Sequence, residues 1–146
     1  MDTNNVTKDI LRKLVSLWSS LIDKTDGSTG SLWALRITPQ DASVTSSTAL
    51  AASLVVRASA GRLLTAAVYN GNVGTQYIQI HNAASLPANG AVPLFTFTLT
   101  TGAVQVLNFD LTGLPCSTGI VLCNSSTAAT KTIGAADCWF TATHKK

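Results

Sequence analysis

The chain has 146 residues, 46% of them hydrophobic and only 12% charged, with no glutamate and a net charge of +3. So much apolar content excludes a disordered chain, and the length suits one domain with a real core. The +3 balance is too mild to argue for nucleic acid by itself, and no run approaches the roughly 20 apolar residues of a membrane helix.

In chain order, residues 4–22 carry the first pattern. Val6, Ile10, Leu11, Leu14, Val15, Trp18, Leu21 and Ile22 recur at three- and four-residue steps, which predicts an amphipathic helix. Asn4 or Asn5 caps its start, and Asp26-Gly27-Ser28-Thr29-Gly30 supplies turn chemistry after it. Leu11, Leu14, Trp18 and Leu21 have the spacing of a coiled-coil seam too short to be stable alone. That seam packs either on its own domain or on a neighbouring subunit. Asp2, Lys8, Asp9, Arg12 and Lys13 interrupt any long apolar run at the N-terminus, so no signal peptide is expected.

After Gly30 the period changes to two. The predicted strands are Leu32–Thr38, Ala49–Ala58, Arg62–Tyr69, Thr75–Asn82, Pro93–Leu99, Val104–Leu111, Gly119–Cys123 and Asp137–Thr143. In "LFTFTLT", Phe95, Phe97 and Leu99 face one way and Thr96, Thr98 and Thr100 the other. In "AVQVLNFDL", Leu107, Phe109 and Leu111 share a face. Asn and Gly punctuate the breaks, with Asn70-Gly71-Asn72 expected to turn a hairpin and Ser59-Ala60-Gly61 another. The fold expected is mainly β: an antiparallel β-sandwich or jelly-roll-like barrel of about eight strands, preceded by an N-terminal amphipathic helix. Residues 1–30 form the helical arm in this reading and residues 31–146 the sandwich.

Charge placement is the most informative feature. Ten of the seventeen charged residues lie in residues 1–41, and none lies between Arg62 and Asp110. A long uncharged stretch of Thr, Asn and small apolar residues reads either as hydroxyl-rich sheet faces or as a surface that packs on other subunits, since interface cores are poor in charge.

Reactive chemistry is sparse. The carboxylates beyond the first strand are Asp41, Asp110 and Asp137, and no other feature supports a two-carboxylate glycosidase. Cys116, Cys123 and Cys138 are odd in number and fit no common zinc spacing, so they read as reduced, buried thiols. A pairing of Cys123 or Cys138 with His81 has no flanking motif. The Gly71–Gly74 GxxG joins two period-2 segments rather than two helices, which excludes a KH-type clamp. No enzymatic activity, cofactor, metal, nucleic acid or membrane partner is expected. The candidate interface residues are Leu11, Leu14, Trp18, Leu21, Arg57, Arg62, Tyr69, Tyr77 and His81. His81 shares a parity with Tyr77 and Gln79, which predicts a face-forming histidine.

"GRLLTAAVYNGNVGTQYIQIHNAASLPANGAVPLFTF", followed by "GLPCSTGIVLCNSSTAATKTIGAADCWFTATH", resembles small β-sandwich virion proteins of tailed bacteriophages. The similar elements include Gly61-Arg62-Leu63, Tyr77-Ile78-Gln79-Ile80, Leu86-Pro87-Ala88-Asn89-Gly90 and Asp137-Cys138-Trp139-Phe140, across residues 57–143. The resemblance implies a structural part of the particle assembled in the host cytoplasm. The preferred expectation is a head decoration (cement) protein, a homo-oligomer with a trimer favoured, seated on the major capsid protein. The alternative is a tail or fibre component that binds host surface carbohydrate.

Overall fold

A computed structural model describes Lys8, residues 12–14 and residues 42–146. The chain divides into two compact units, Met1–Thr38 and Pro39–Lys146. In the first unit Lys8 and residues 12–14 have helical backbone. The rest of the expected helix, and the expected strand Leu32–Thr38, lie outside the described residues. No helix among the described residues is long and apolar enough to cross a membrane.

The second unit is a sandwich of two antiparallel sheets. Its nine strands are β1 (Ser43–Ser46), β2 (Ser53–Arg57), β3 (Gly61–Asn70), β4 (Gln76–Asn82), β5 (Phe95–Leu99), β6 (Val104–Asn108), β7 (Leu114–Cys116), β8 (Ile120–Ser125) and β9 (Cys138–Lys145). One sheet, here sheet A, has the order β1-β9-β3-β6, with β7 also pairing β3. The other, sheet B, has the order β2-β8-β4-β5.

Alternation explains which side chains fill the gap between the sheets. Leu63, Ala66, Val68, Phe140 and Ala142 of sheet A meet Val56, Ile78, Ile80, Leu99, Ile120 and Leu122 of sheet B, all buried. The expected pattern of "LFTFTLT" holds, with Leu99 buried and Phe97 packed against the core. Phe95, at the start of β5, sets its ring edge-on to Phe109, just past the end of β6, at 6.0 Å, which links the two sheets at the end away from the β5–β6 connection.

Three expectations are corrected. The predicted strand Ala49–Ala58 shortens to β2, and β1, which pairs in the other sheet, was not expected. The strand from Val104 stops at Asn108, because Asp110 takes a left-handed φ of 57°, and Leu111 is exposed rather than on the core face. The breaks at Gly71 and Ala60-Gly61 are not hairpins within a sheet. Each carries the chain across the sandwich, from β3 to β4 and from β2 to β3. Hairpin and inter-sheet arch use the same turn residues, so local signals do not tell them apart.

Candidate functional site

The two sheets turn very different faces outward. On sheet A the cross-strand register aligns Trp139, Tyr69 and Val104 in one row. The next row holds Ser46, Thr141, Ala67 and Val106, and the third Val44, Thr143, Thr65 and Asn108. None of these side chains is charged. Trp139 is 41% exposed, Tyr69 40%, Val104 65%, Val106 59% and Val44 68%. Scattered exposed apolar residues are ordinary, but a contiguous patch on one flat face marks a place where something docks.

Sheet B carries an outward set of comparable size, yet it is roofed. Tyr77, Gln79, His81, Val121, Cys123 and Ser125 point away from the core by alternation, and all but Tyr77 are fully or nearly fully buried. The roof is made by the segments 83–94 and 126–134. Gly90 N donates to Lys131 O at 2.7 Å, and Lys131 N to Ala91 O at 2.8 Å, which joins the two segments. Gln79 pins the roof from beneath: its Nε2 donates to the carbonyls of Thr127 (2.9 Å), Ala128 (3.1 Å) and Thr130 (3.2 Å). Lys131, only 2% exposed, spans the roof and donates from Nζ to Asn89 Oδ1 at 2.7 Å. A cleft of about 390 Å³ remains at one side, lined mainly by Ala83, Pro87, Ala91, Val92 and Pro93, with His81 at its wall.

His81 is therefore buried, 3% exposed, rather than on the surface as its parity suggested. Burial and then the nearby Lys131 charge hold its pKa below the usual 6.5. Its Nε2 lies 3.2 Å from Gln79 Oε1, and Cys123 Sγ reaches the same oxygen at 4.0 Å. Cys123 and His81 thus meet through Gln79 and make no nucleophile–base contact of their own. All three cysteines are free and buried, in line with their sequence reading. Burial pushes Cys123 up to about 11, and burial with the Asp137 carboxylate pushes Cys138 up to about 12. Both stay protonated thiols at neutral pH.

The GxxG segment is a structural arch. Asn70 Nδ2 donates to the carbonyls of Gly74 and Leu99, both at 2.9 Å, and Asn70 Oδ1 accepts from Asn72 N at 2.9 Å. Asn72 and Asn124 each donate from Nδ2 to the Asp137 carboxylate. Gly71 is required by close approach, since its N bonds Asp137 O at 2.8 Å and an added Cβ would sit 2.8 Å from that oxygen. Asp110 lies by the Leu64 end of β3 and Asp137 by the Asn70 end. Those ends are roughly 20 Å apart at the rise of a strand, too far for carboxylates acting together.

The expected interface residues do not form one patch. Tyr69 is on the outer face of sheet A, whereas Tyr77 and His81 belong to the outer face of sheet B. Arg57 folds back to donate from Nε to Ala60 O at 2.8 Å, and Arg62 donates from Nη1 to Thr112 O at 2.9 Å. Arg57 serves the crossover from β2 to β3, whereas Arg62 ties β3 to the connection between β6 and β7 in the same sheet. Leu14 is 58% exposed, and Leu11, Trp18 and Leu21 lie outside the described residues. Val104, Val106 and Trp139 are not among the expected interface residues. The signal for the two valines is that "VQVLNF" puts apolar residues on both parities, Val104 and Val106 on one and Leu107 and Phe109 on the other, which a strand with one wet face does not need.

Comparison with family models, with curated proteins and with solved structures finds no match to this chain.

Proposed function

We propose that this protein is a non-enzymatic structural component of a virus particle, best read as a head decoration (cement) protein. The observation that carries this reading is the three uncharged rows on the outer face of sheet A, which Arg62 and Lys145 bound at one end. A repeated subunit buries such a face on its lattice, where it would otherwise be an aggregation risk. The strand orders β1-β9-β3-β6 and β2-β8-β4-β5 support it as well. They match an eight-stranded jelly roll of two Greek keys, an architecture frequent in capsid proteins, with β7 as an addition. The sequence resemblance to phage virion proteins points the same way.

The mechanism is clamping. Burying apolar area at about 25 cal/mol per Å² across a junction between shell subunits raises the cost of pulling them apart. Each contact need only be weak, because many copies act on one closed lattice. The deciding experiment is the location and copy number of the protein in purified particles. Many copies distributed over the head support the reading, and a few copies confined to the tail sink it.

One observation favours a second reading. Trp139 and Tyr69 are register neighbours with exposed rings on a hydroxyl-rich surface, an arrangement that suits stacking on a sugar ring. A tail or fibre component binding host carbohydrate predicts that the isolated protein binds host polysaccharide and that Trp139→Ala abolishes that binding.

A further inference from the structure

An open sheet edge is a row of unpaired N–H and C=O groups, and proteins blunt it with charge, proline, bulges or brevity. Three edges here are blunted. The β2 edge has a bulge between Val55 and Arg57 and ends on that arginine. The β1 edge is only four residues long. The β5 edge begins directly after Pro93 and Leu94. The β6 edge, five residues long, has no charge, proline or bulge to blunt it, and its register with β3 is unbroken.

The hydrogen bonds show which groups face outward. Asn70 N donates to Ala103 O at 3.0 Å and Phe109 N to Leu64 O at 2.8 Å. The odd-numbered residues 103–109 therefore bond to β3, and by alternation the backbone groups of Val104, Val106 and Asn108 point away from it. Among the described residues no strand pairs with that side. Among the described residues Val106 O is met only by the exposed Gln105 Nε2 at 3.2 Å, a contact easily displaced.

We propose that β6 is a strand-addition site for a second copy of this chain, pairing antiparallel with its own β6 about a two-fold axis at Val106. The sequence is complementary to itself in this arrangement. Val106 faces Val106, and Val104 faces Asn108 in both directions, each pair exchanging both backbone bonds. The outward side chains place valine against valine across the axis, a favourable pair on a twisted sheet. No like charges meet. Sheet A becomes continuous across two copies, and the uncharged patch on its outer face doubles. The pairing deepens the docking reading by enlarging the face, but the dimer forms in solution without a particle. A dimer that does not bind particles would therefore count against the docking role alone.

The test is sedimentation equilibrium and light scattering of the full chain over a concentration series. A dimer of the 15.2 kDa chain is expected, with a Kd of about 10–100 µM for a patch below standard interface size. Val106→Pro removes an N–H that β3 does not use, and Val106→Lys places a charge on the axis. Each should weaken the dimer by about tenfold or more while circular dichroism stays that of the wild type. A monomer at all concentrations up to about 1 mM overturns the proposal. So does a trimer, or a dimer that survives Val106→Lys in a folded protein.

Discussion

The outer faces of the two sheets start from similar material and end differently. Both are poor in charge and rich in Thr, Ser and small apolar residues. Over sheet B the chain folds two long segments, joins them through Gly90, Ala91 and Lys131, and buries Gln79, Val121 and Cys123 completely. Over sheet A, residues 42–146 place nothing above Tyr69, Val104 and Val106, which keep 40–65% of their surface. The contrast separates stability from recognition. A roofed face contributes to folding, and changes there should be read as melting temperature. A bare face contributes little until a partner covers it, and changes there should be read as binding.

Gln79→Ala should give the largest loss of stability on the roofed side. It frees three carbonyls of the roof and leaves His81 and Cys123 without their shared acceptor. A loss of about 3 kcal/mol is expected in urea unfolding. A loss under about 1 kcal/mol would mean that the roof is not an integrated part of the domain. Lys131→Ala should cost less, about 1–2 kcal/mol, through the lost Asn89 contact and the packing of its stem.

Acid should act next, through one buried histidine of each sheet, His81 on β4 under the roof and His144 on β9. His81 and His144 are both held below 6.5, by burial first and then by Lys131 and Arg57 respectively. A depressed histidine leaves the unfolded state binding more protons, so stability rises with pH. This contribution is fully present above about 6.5 and is lost as pH falls through the lowered folded values. His144 Nδ1 is buried without a partner among the described residues, so a proton gained there finds no acceptor among them. The urea midpoint should fall between pH 7 and pH 5, and His81→Gln should make that fall shallower. An unchanged slope in the variant would remove His81 from the account.

The smallest stability effect belongs to the bare face. Trp139→Ser should cost under about 1 kcal/mol, because the ring is already half in water. The same change should weaken particle binding by about tenfold or more, as expected of an aromatic anchor. A variant that is strongly destabilised yet still binds would invert the assignment of the two faces.

Much of the sandwich was legible from alternation alone. Phe95, Phe97, Leu99, Ile78 and Ile80 declared their face because period-2 polarity reflects one wet side and one dry side. The buried free cysteines followed from their apolar surroundings and odd number. Less legible were β1 and β7, which are short and polar, and the roof. His81 and Gln79 carry the parity of an outward face, and only a long-range pairing between residues 89–91 and 131 buries them. The network of Asn70, Asn72, Asn124 and Asp137 was hidden for the same reason. Asparagine marks a turn locally, while the carboxylate it binds comes from a distant segment.

The sequence by itself determined that this is a charge-poor β protein whose central stretch avoids solvated charge, because hydrophobic period and charge placement are local properties of the chain. The tertiary structure decided which face stays bare, which is roofed and which edge stays open. Those outcomes depend on register and on crossovers between sheets, and the physical reason is that contacts between distant segments leave no periodic signature in the segments that make them.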